Sequence, residues 1–274
     1  MQENIKLGFP QPGVRRIGVF NRIGLTTLCV KEVRRFLKVW TQTVLAPTIT
    51  TLLFMAIFVW ALGGSGRAPA GVNLGTFLAP GLMVMAIIQN AFQNPSSSIL
   101  IAKVQGNIVD ILMPPLSAGE LTFGFAIGGV VRGLMVGASL WLIFSFWPGI
   151  AVTVRHGWII VYFAFSASLM MSLIGTLTGV WAQKFDHSAA ITNFLVVPLS
   201  LLSGTFYTID RLPPILQTVS NFNPFFYLID GVRYGFIGRS DSNIMIGIFV
   251  VLALNIILWF TAHRVFKVGY RLKA

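Results

Sequence analysis

Apolar segments of near-membrane-spanning length recur along this chain and constrain its fold more than any other feature. A helix that crosses the hydrocarbon core needs about 20 consecutive apolar residues. Six segments approach or exceed that length: residues 44–62, 74–92, 121–147, 158–181, 188–203 and 244–263. Because lipid cannot satisfy backbone polar groups, each segment is expected to be helical. The pattern predicts an all-α integral membrane protein with six transmembrane helices.

The composition agrees with a membrane location. Only 10% of the 274 residues are charged and 55% are hydrophobic, and the mean hydropathy is +0.79, whereas a soluble domain carries about 25% charge. The net charge of +12 does not indicate a nucleic-acid partner, since most of the Lys and Arg flank apolar segments. There they orient the chain and contact anionic headgroups of the lipid bilayer.

Three regions are predicted along the chain. Residues 1–40 form a cytoplasmic tail and an amphipathic interface helix, residues 41–264 form the transmembrane domain, and residues 265–274 form a basic cytoplasmic tail. Between Ile17 and Trp40, apolar residues recur near helical spacing and Arg and Lys supply the other face, which is typical of a helix lying in the headgroup plane. A basic flank that only sets topology is the alternative.

The distribution of Lys and Arg predicts the orientation. With the N-terminus inside, the cytoplasmic segments hold 14 of these residues and the outer loops hold 5, while Arg132 lies within a span. Cytoplasmic loops carry the excess of positive charge in membrane proteins. Both termini are therefore expected in the cytoplasm.

The stretch from Leu195 to Gly238 departs from a regular span. The fifth segment has only about 16 residues before Gly204 interrupts it, and a second apolar run is expected to end near Asp230. Broken backbone at membrane depth is tolerated only where protein buries it or where it lines a cavity. We predict re-entrant outer half-helices between the fifth and sixth spans that form an outer gate, with candidate residues Pro198, Gly204, Pro213, Pro214, Pro224, Phe225, Tyr227, Asp230 and Arg233.

Small residues at four-residue spacing mark the third and fourth spans. In the third span, Gly129, Gly133 and Gly137 follow one another at this spacing. In the fourth span, Gly175 and Gly179 have the same spacing. This spacing lets helix backbones approach closely. Packing within one subunit is the simpler interpretation, and a subunit interface is the other.

Arg132 is the only charged residue within the six predicted spans. An Arg at the bilayer centre costs about 2.5–3.5 kcal/mol on insertion scales. Its side chain is expected either to reach inward to the cytoplasmic headgroups or to take part in an ion pair or a transport path.

The cytoplasmic loop between the second and third spans is unusually apolar. It is expected to hold a short helix that ends at a Pro-Pro pair, and such a helix should bury its apolar side against either the membrane surface or a cytosolic partner. The candidate contact residues are Asn107, Ile108, Asp110, Ile111, Leu112 and Pro114.

Several kinds of chemistry are not indicated by the sequence. It contains no Gly-Lys pair and therefore no Walker A loop for ATP phosphates. His156, His187 and His263 are scattered, and the single Cys29 cannot form an internal disulfide. We predict that this chain is not an enzyme and holds no metal or other cofactor.

The last third of the chain carries the most specific motifs. They are Leu202-Ser203-Gly204, Leu212-Pro213-Pro214, Asn223-Pro224 and the Asp230–Gly235 run, with Pro224, Tyr227 and Arg233 at the spacing of a family signature. With these residues the chain resembles the permease subunits of bacterial type-2 ABC transporters, an exporter family for drugs, polysaccharides and lipo-oligosaccharides. The resemblance extends from about Val30 to the C-terminus.

The resemblance implies a division of labour between subunits. A homodimer of this chain would enclose the path in the bacterial inner membrane, and a separate ABC ATPase would bind ATP and Mg²⁺ and dock on the loop helix near Asn107. The cargo would be an amphipathic drug, a lipid or a lipid-linked glycan. A self-contained carrier or channel is the alternative function, and a membrane-embedded enzyme acting on lipid is a third.

Overall fold

Eleven α-helices are present in the described part of a computed structural model, which covers residues 20–62, 72–150 and 152–272. The predicted tail, the start of the amphipathic helix and the loop of residues 63–71 lie outside this part. The helices are α1 Arg22–Leu37, α2 Ala46–Leu62, α3 Leu74–Val104, α4 Ile108–Leu112, α5 Ala118–Ser145, α6 Gly157–Trp181, α7 Phe185–Ile191, α8 Val197–Leu201, α9 Pro214–Phe222, α10 Pro224–Ile237 and α11 Ile244–Val268.

Helix α1 has the amphipathic character that the sequence predicts. The Asn21 side chain accepts a hydrogen bond from the Gly24 backbone N–H and so caps the helix. Leu28 and Phe36 are buried. Leu28 occupies the space that a side chain at position 124 of α5 would need, so the glycine there lets the two helices pack closely. The helix therefore lies against the ends of the spans. Arg35 contacts α3, whereas the other basic residues of the helix and of its C-cap are exposed: Arg22, Lys31, Arg34 and Lys38.

Five helices of the described residues are long and apolar enough to cross a membrane. They are Thr41–Ala61 (a π-helical turn continued by α2), α3, α5, α6 and α11. The predicted fifth segment is helical as well, but it consists of α7, a π-helical turn and α8 and ends at Leu201. A sixth crossing in this segment stays a prediction.

The helix that contains the second span continues beyond the predicted end of that span. We expected the span to end near Phe92, and α3 continues through Pro95 to Val104; where the membrane ends along this helix stays a prediction. The polar run that follows Phe92 resembles a loop in sequence, but Asn94, Ser96 and Ser98 are buried against neighbouring helices. Polar side chains with partners can remain inside a helix at this depth.

Helix α3 is the centre of the bundle and packs most extensively against α6 and α5. A Cβ atom on Gly175 would lie 2.2 Å from the Phe92 backbone oxygen, and one on Gly129 would lie 2.6 Å from the Ala91 oxygen. The small residues of the third and fourth spans therefore let three helices of one subunit approach closely. This observation supports packing within a subunit.

Candidate functional site

The loop helix is present as α4, and its residues divide between two sides. Ile108 is only 5% exposed and packs in a small core with Leu28 and Ile99. On the other side, Val109 and Met113 are 48% and 79% exposed. The helix thus has Ile108 in the core and presents Val109 and Met113 to the surroundings.

The residues of α4 that are accessible to a partner differ in part from the predicted ones. Of the predicted contact residues, Asn107, Asp110 and Pro114 are exposed. Ile108, Ile111 and Leu112 instead pack toward the core of the chain. Val109 and Met113 were missed, although their four-residue spacing places them on one helix face.

The C-terminal ends of α3 and α6 are joined beside this loop. The Lys103 ammonium donates hydrogen bonds of 2.6 Å to the carbonyl oxygens of both Val180 and Ala182, and Arg271 Nη1 donates one of 3.0 Å to the Trp181 oxygen. Cations satisfy the free carbonyl groups at a helix C-terminus. The end of α3 that precedes α4 is therefore held to the end of α6.

A buried carboxylate links α1 to α3. It was not predicted from the sequence, in which Glu32 stands out only as one acid among basic residues. Glu32 accepts a 2.8 Å hydrogen bond from the Ser98 hydroxyl, and its Oε2 lies 3.6 Å from Arg35 Nε. Arg35 Nη2 in turn donates to the Asn94 backbone oxygen over 2.6 Å. Burial raises the pKa of the Glu32 carboxyl, and the nearby Arg35 opposes this effect.

Arg132 is almost fully enclosed by the protein. Its side chain is 7% exposed and lies between helices, where Nη2 donates to Asn90 Oδ1 over 2.9 Å and approaches Gln93 Oε1 at 3.4 Å. Its partners are amides on α3. Among the described residues, no carboxylate lies within ion-pair distance of it.

Arg233 is at the centre of the predicted gate. Its Nη2 donates a 2.6 Å hydrogen bond to the Gly204 oxygen, its guanidinium carbon lies 4.1 Å from the centroid of the Phe77 ring, and Nη1 lies 3.9 Å from Asp241 Oδ2. Gly204 has a φ of +75°, which suits glycine. One buried cation therefore joins the turn after α8 to α3 and to the loop before α11.

Asp230 is enclosed by the loop that follows α10. Its carboxylate accepts hydrogen bonds from the backbone N–H groups of Asp241 and Ser242, at 2.9 and 3.0 Å, and from the hydroxyls of Ser240 and Ser242. The expectation that α10 would end near Asp230 was wrong, because the helix continues to Ile237. The Asp230 carboxylate therefore has four hydrogen-bond donors inside the fold.

The other predicted gate residues form the turns around this centre. Asn223 caps α10 and donates a 2.7 Å hydrogen bond to the Leu199 oxygen in α8, and Tyr227 donates to the Asn221 oxygen. Phe225 is buried, and Pro224 begins α10. Pro198 lies in α8, and Pro213 and Pro214 begin α9 away from Arg233.

The apolar side of helix α9 is uncovered. Ile215 is 78% exposed and Phe222 is 85% exposed. A short amphipathic helix of this kind suits a membrane interface.

In the described residues, no group of three His, Cys, Asp or Glu side chains could hold a metal ion.

The fold and these sites define a multi-pass helical membrane protein with a short loop helix and a network of broken helices. The chain belongs to the ABC-2 type transporter family, whose profile matches residues 24–237. It is a transport permease of this family, and the family works in general with an ABC ATPase.

Named relatives agree with this assignment. The chain is 36% identical to the "Inner membrane transport permease YadH" of Escherichia coli (strain K12) over 247 residues, which cover 88% of this chain and 95% of that protein. It is 22% identical to "Nodulation protein J" of Rhizobium leguminosarum bv. viciae over 228 residues, which cover 80% and 85% of the two chains.

Proposed function

We propose that this chain is the transmembrane subunit of an ATP-driven exporter in the bacterial inner membrane. A separate ABC ATPase binds ATP and Mg²⁺ and docks on α4 from the cytoplasm. Two copies of the chain enclose the path, each with six spans and with both termini in the cytoplasm. The cargo is an amphipathic drug, lipid or lipid-linked glycan.

The exposed side of α4 is the observation that carries this proposal. Val109 and Met113 are apolar and uncovered, while Ile108 fixes the helix to the rest of the chain. An apolar surface on a short, anchored helix is a suitable contact for a soluble partner. Because the end of α3 lies directly before α4, a push on α4 is transmitted to the most buried span.

The gate on the opposite face follows from the Arg233 network. Arg233 joins the turn at Gly204 to the α10–α11 loop, so movement of α10 would shift the turn that ends the fifth segment. The Lys and Arg count supports an outer location for this region. The network would close the exit of the path until the spans rearrange.

Purification of the tagged chain from its own membranes tests the function. We expect a soluble protein with a Walker A loop to co-purify, and we expect cargo movement in proteoliposomes only with both proteins and hydrolysable ATP. Movement catalysed by this chain alone without nucleotide would contradict the proposal and would support the carrier alternative.

A further inference from the structure

A cavity lies between the first span and α3, and its wall includes Asn90 and Gln93, the two amides that contact Arg132. Its volume is about 290 Å³. Half of its lining residues are apolar, and the others are uncharged and polar: Gln42, Thr50, Thr51, Gln89, Asn90 and Gln93. Polar side chains within membrane helices are uncommon and usually serve a pathway or a ligand.

The cavity lies in the inner half of the bilayer in the proposed orientation. Gln93 is about 28 Å along α3 from Leu74, at 1.5 Å per residue. The hydrocarbon core is about 30 Å thick, so this end of the cavity is near the level of the cytoplasmic headgroups. A headgroup could occupy it while its chains stay in the lipid.

The amides of the cavity wall have unused hydrogen-bonding capacity. Gln42 and Gln89 make no side-chain hydrogen bond to any residue in the described ranges. Thr50 and Thr51 each donate to a carbonyl group of their own helix, which leaves their oxygens as acceptors. In a membrane such groups need a partner.

Arg132 sets the direction of the Gln93 amide. A guanidinium group can only donate, so the oxygen atoms of Asn90 and Gln93 face it. The Asn90 NH₂ group donates to the Ala86 oxygen, whereas the Gln93 NH₂ group has no partner in the described part of the chain. Gln93 therefore offers donors at the cavity wall.

Arg132 also places a positive charge next to the cavity wall that Asn90 and Gln93 form. It is buried, its Nε atom has no hydrogen-bond partner, and none of the described carboxylates forms an ion pair with it. A buried charge without a counter-ion is unfavourable. An anion in the cavity, next to the Asn90 and Gln93 amides that contact Arg132, would compensate this charge in a medium of low dielectric constant.

We propose that this cavity binds the phosphate or carboxylate headgroup of the amphipathic cargo. Gln89 and Gln93 donate hydrogen bonds to the headgroup oxygens, and Arg132 acts as a positioning residue through Asn90 and Gln93. The proposal rests on the proposed transport function, since it assigns the cavity to the cargo. Among the proposed cargoes, this site would select amphipathic molecules with an anionic headgroup.

Calorimetric titration of the purified full chain in a maltoside detergent tests the proposal. The probes are dioctanoyl phosphatidic acid, dioctanoylglycerol with the same chains and no phosphate, and inorganic phosphate with no chains. We expect phosphatidic acid to bind at least about tenfold more tightly than either of the others, because its charged phosphate accepts stronger hydrogen bonds than a neutral hydroxyl and its chains stay in the detergent.

Variants separate this site from other basic surfaces. Gln93→Leu and Gln89→Leu should each weaken phosphatidic acid binding about tenfold, whereas Gln183→Leu, an exposed glutamine at the end of α6, should not. Arg132→Met should reduce the preference for phosphatidic acid over dioctanoylglycerol. Thermal unfolding of each variant checks that a loss of binding is not a loss of fold.

Three results would overturn the proposal: equal binding of phosphatidic acid and dioctanoylglycerol, unchanged binding in both glutamine variants, or binding of inorganic phosphate as tight as that of the lipid. The last result would indicate a site for a free anion. These titrations need no ATPase, so a failure here with intact ATP-driven transport contradicts the headgroup site alone. A failure of the ATPase to associate contradicts the proposed function instead.

Discussion

Arg233 donates a 2.6 Å hydrogen bond to the backbone oxygen of Gly204, a residue 29 positions earlier in the chain. This contact lies inside the protein, since Arg233 is only 3% exposed. It joins the turn that ends the fifth apolar segment to α10. The stability of the outer region should therefore depend on this one side chain.

Replacement of Arg233 by Met tests this dependence. The variant leaves the Gly204 oxygen and Asp241 without their partner, so we expect a loss of about 3 kcal/mol and a melting temperature lower by several degrees in detergent. Arg264→Met, at an exposed cation near the end of α11, should change stability by less than about 0.5 kcal/mol. Equal melting temperatures for the two variants would contradict the role of Arg233.

The crossing of α6 and α3 gives a prediction for glycine. A methyl group on Gly175 would lie 2.2 Å from the Phe92 backbone oxygen, whereas one on Gly119 would lie 3.7 Å from the His263 ring. Gly175→Ala should therefore cost about 3 kcal/mol, and Gly119→Ala should stabilise the chain by about 0.5–1 kcal/mol. Thermal unfolding of both variants measures this difference in stability. If the Gly175→Ala protein were as stable as the unchanged protein, α6 and α3 would not approach closely at this position.

The main spans and the loop helix could be predicted from the sequence because apolar length and Pro or Gly interruptions are local signals. The extent of α3 could not, since the run from Gln93 to Ser98 is polar and contains Pro95. Its partners, among them Glu32 and Arg35 on α1, are distant in sequence. The same reason explains Asp230, which resembles a helix end in sequence and is enclosed by residues 240–242 in the fold.

Glu32 gives a pH dependence whose sign can be worked out. Its pKa is raised above the ordinary value of 4.5, with burial as the main cause. The folded state therefore holds the proton more tightly than the unfolded state, and the stability present below about pH 4.5 falls as the pH rises through the folded pKa. Glutamine at this position does not titrate.

The melting temperature of Glu32→Gln relative to that of the unchanged protein should therefore increase from pH 4 to pH 8. Thermal unfolding in one detergent at each pH measures this difference. A difference that decreases with pH would mean that Arg35 and Lys31 lower the pKa more than burial raises it, which would contradict the account of this carboxyl group.

Cysteine labelling tests the two faces of the protein. Thr218 on α9 and Asp110 on α4 are both exposed. In a Cys29→Ser background, we expect an impermeant maleimide to label Thr218→Cys in intact spheroplasts and Asp110→Cys only after permeabilisation. Labelling of Asp110→Cys without permeabilisation would reverse the proposed orientation.

Docking of the ATPase on α4 is the central claim, and co-purification of the ATPase with α4 variants tests it most directly. Val109→Asp combined with Met113→Asp places two charges on the exposed apolar side and leaves Ile108 in the core. Val268→Asp, at an exposed position near the end of α11, is the matched control. We predict that the ATPase is lost from the double variant and retained by the control, with both proteins equally stable. Full retention of the ATPase by the double variant would contradict the claim.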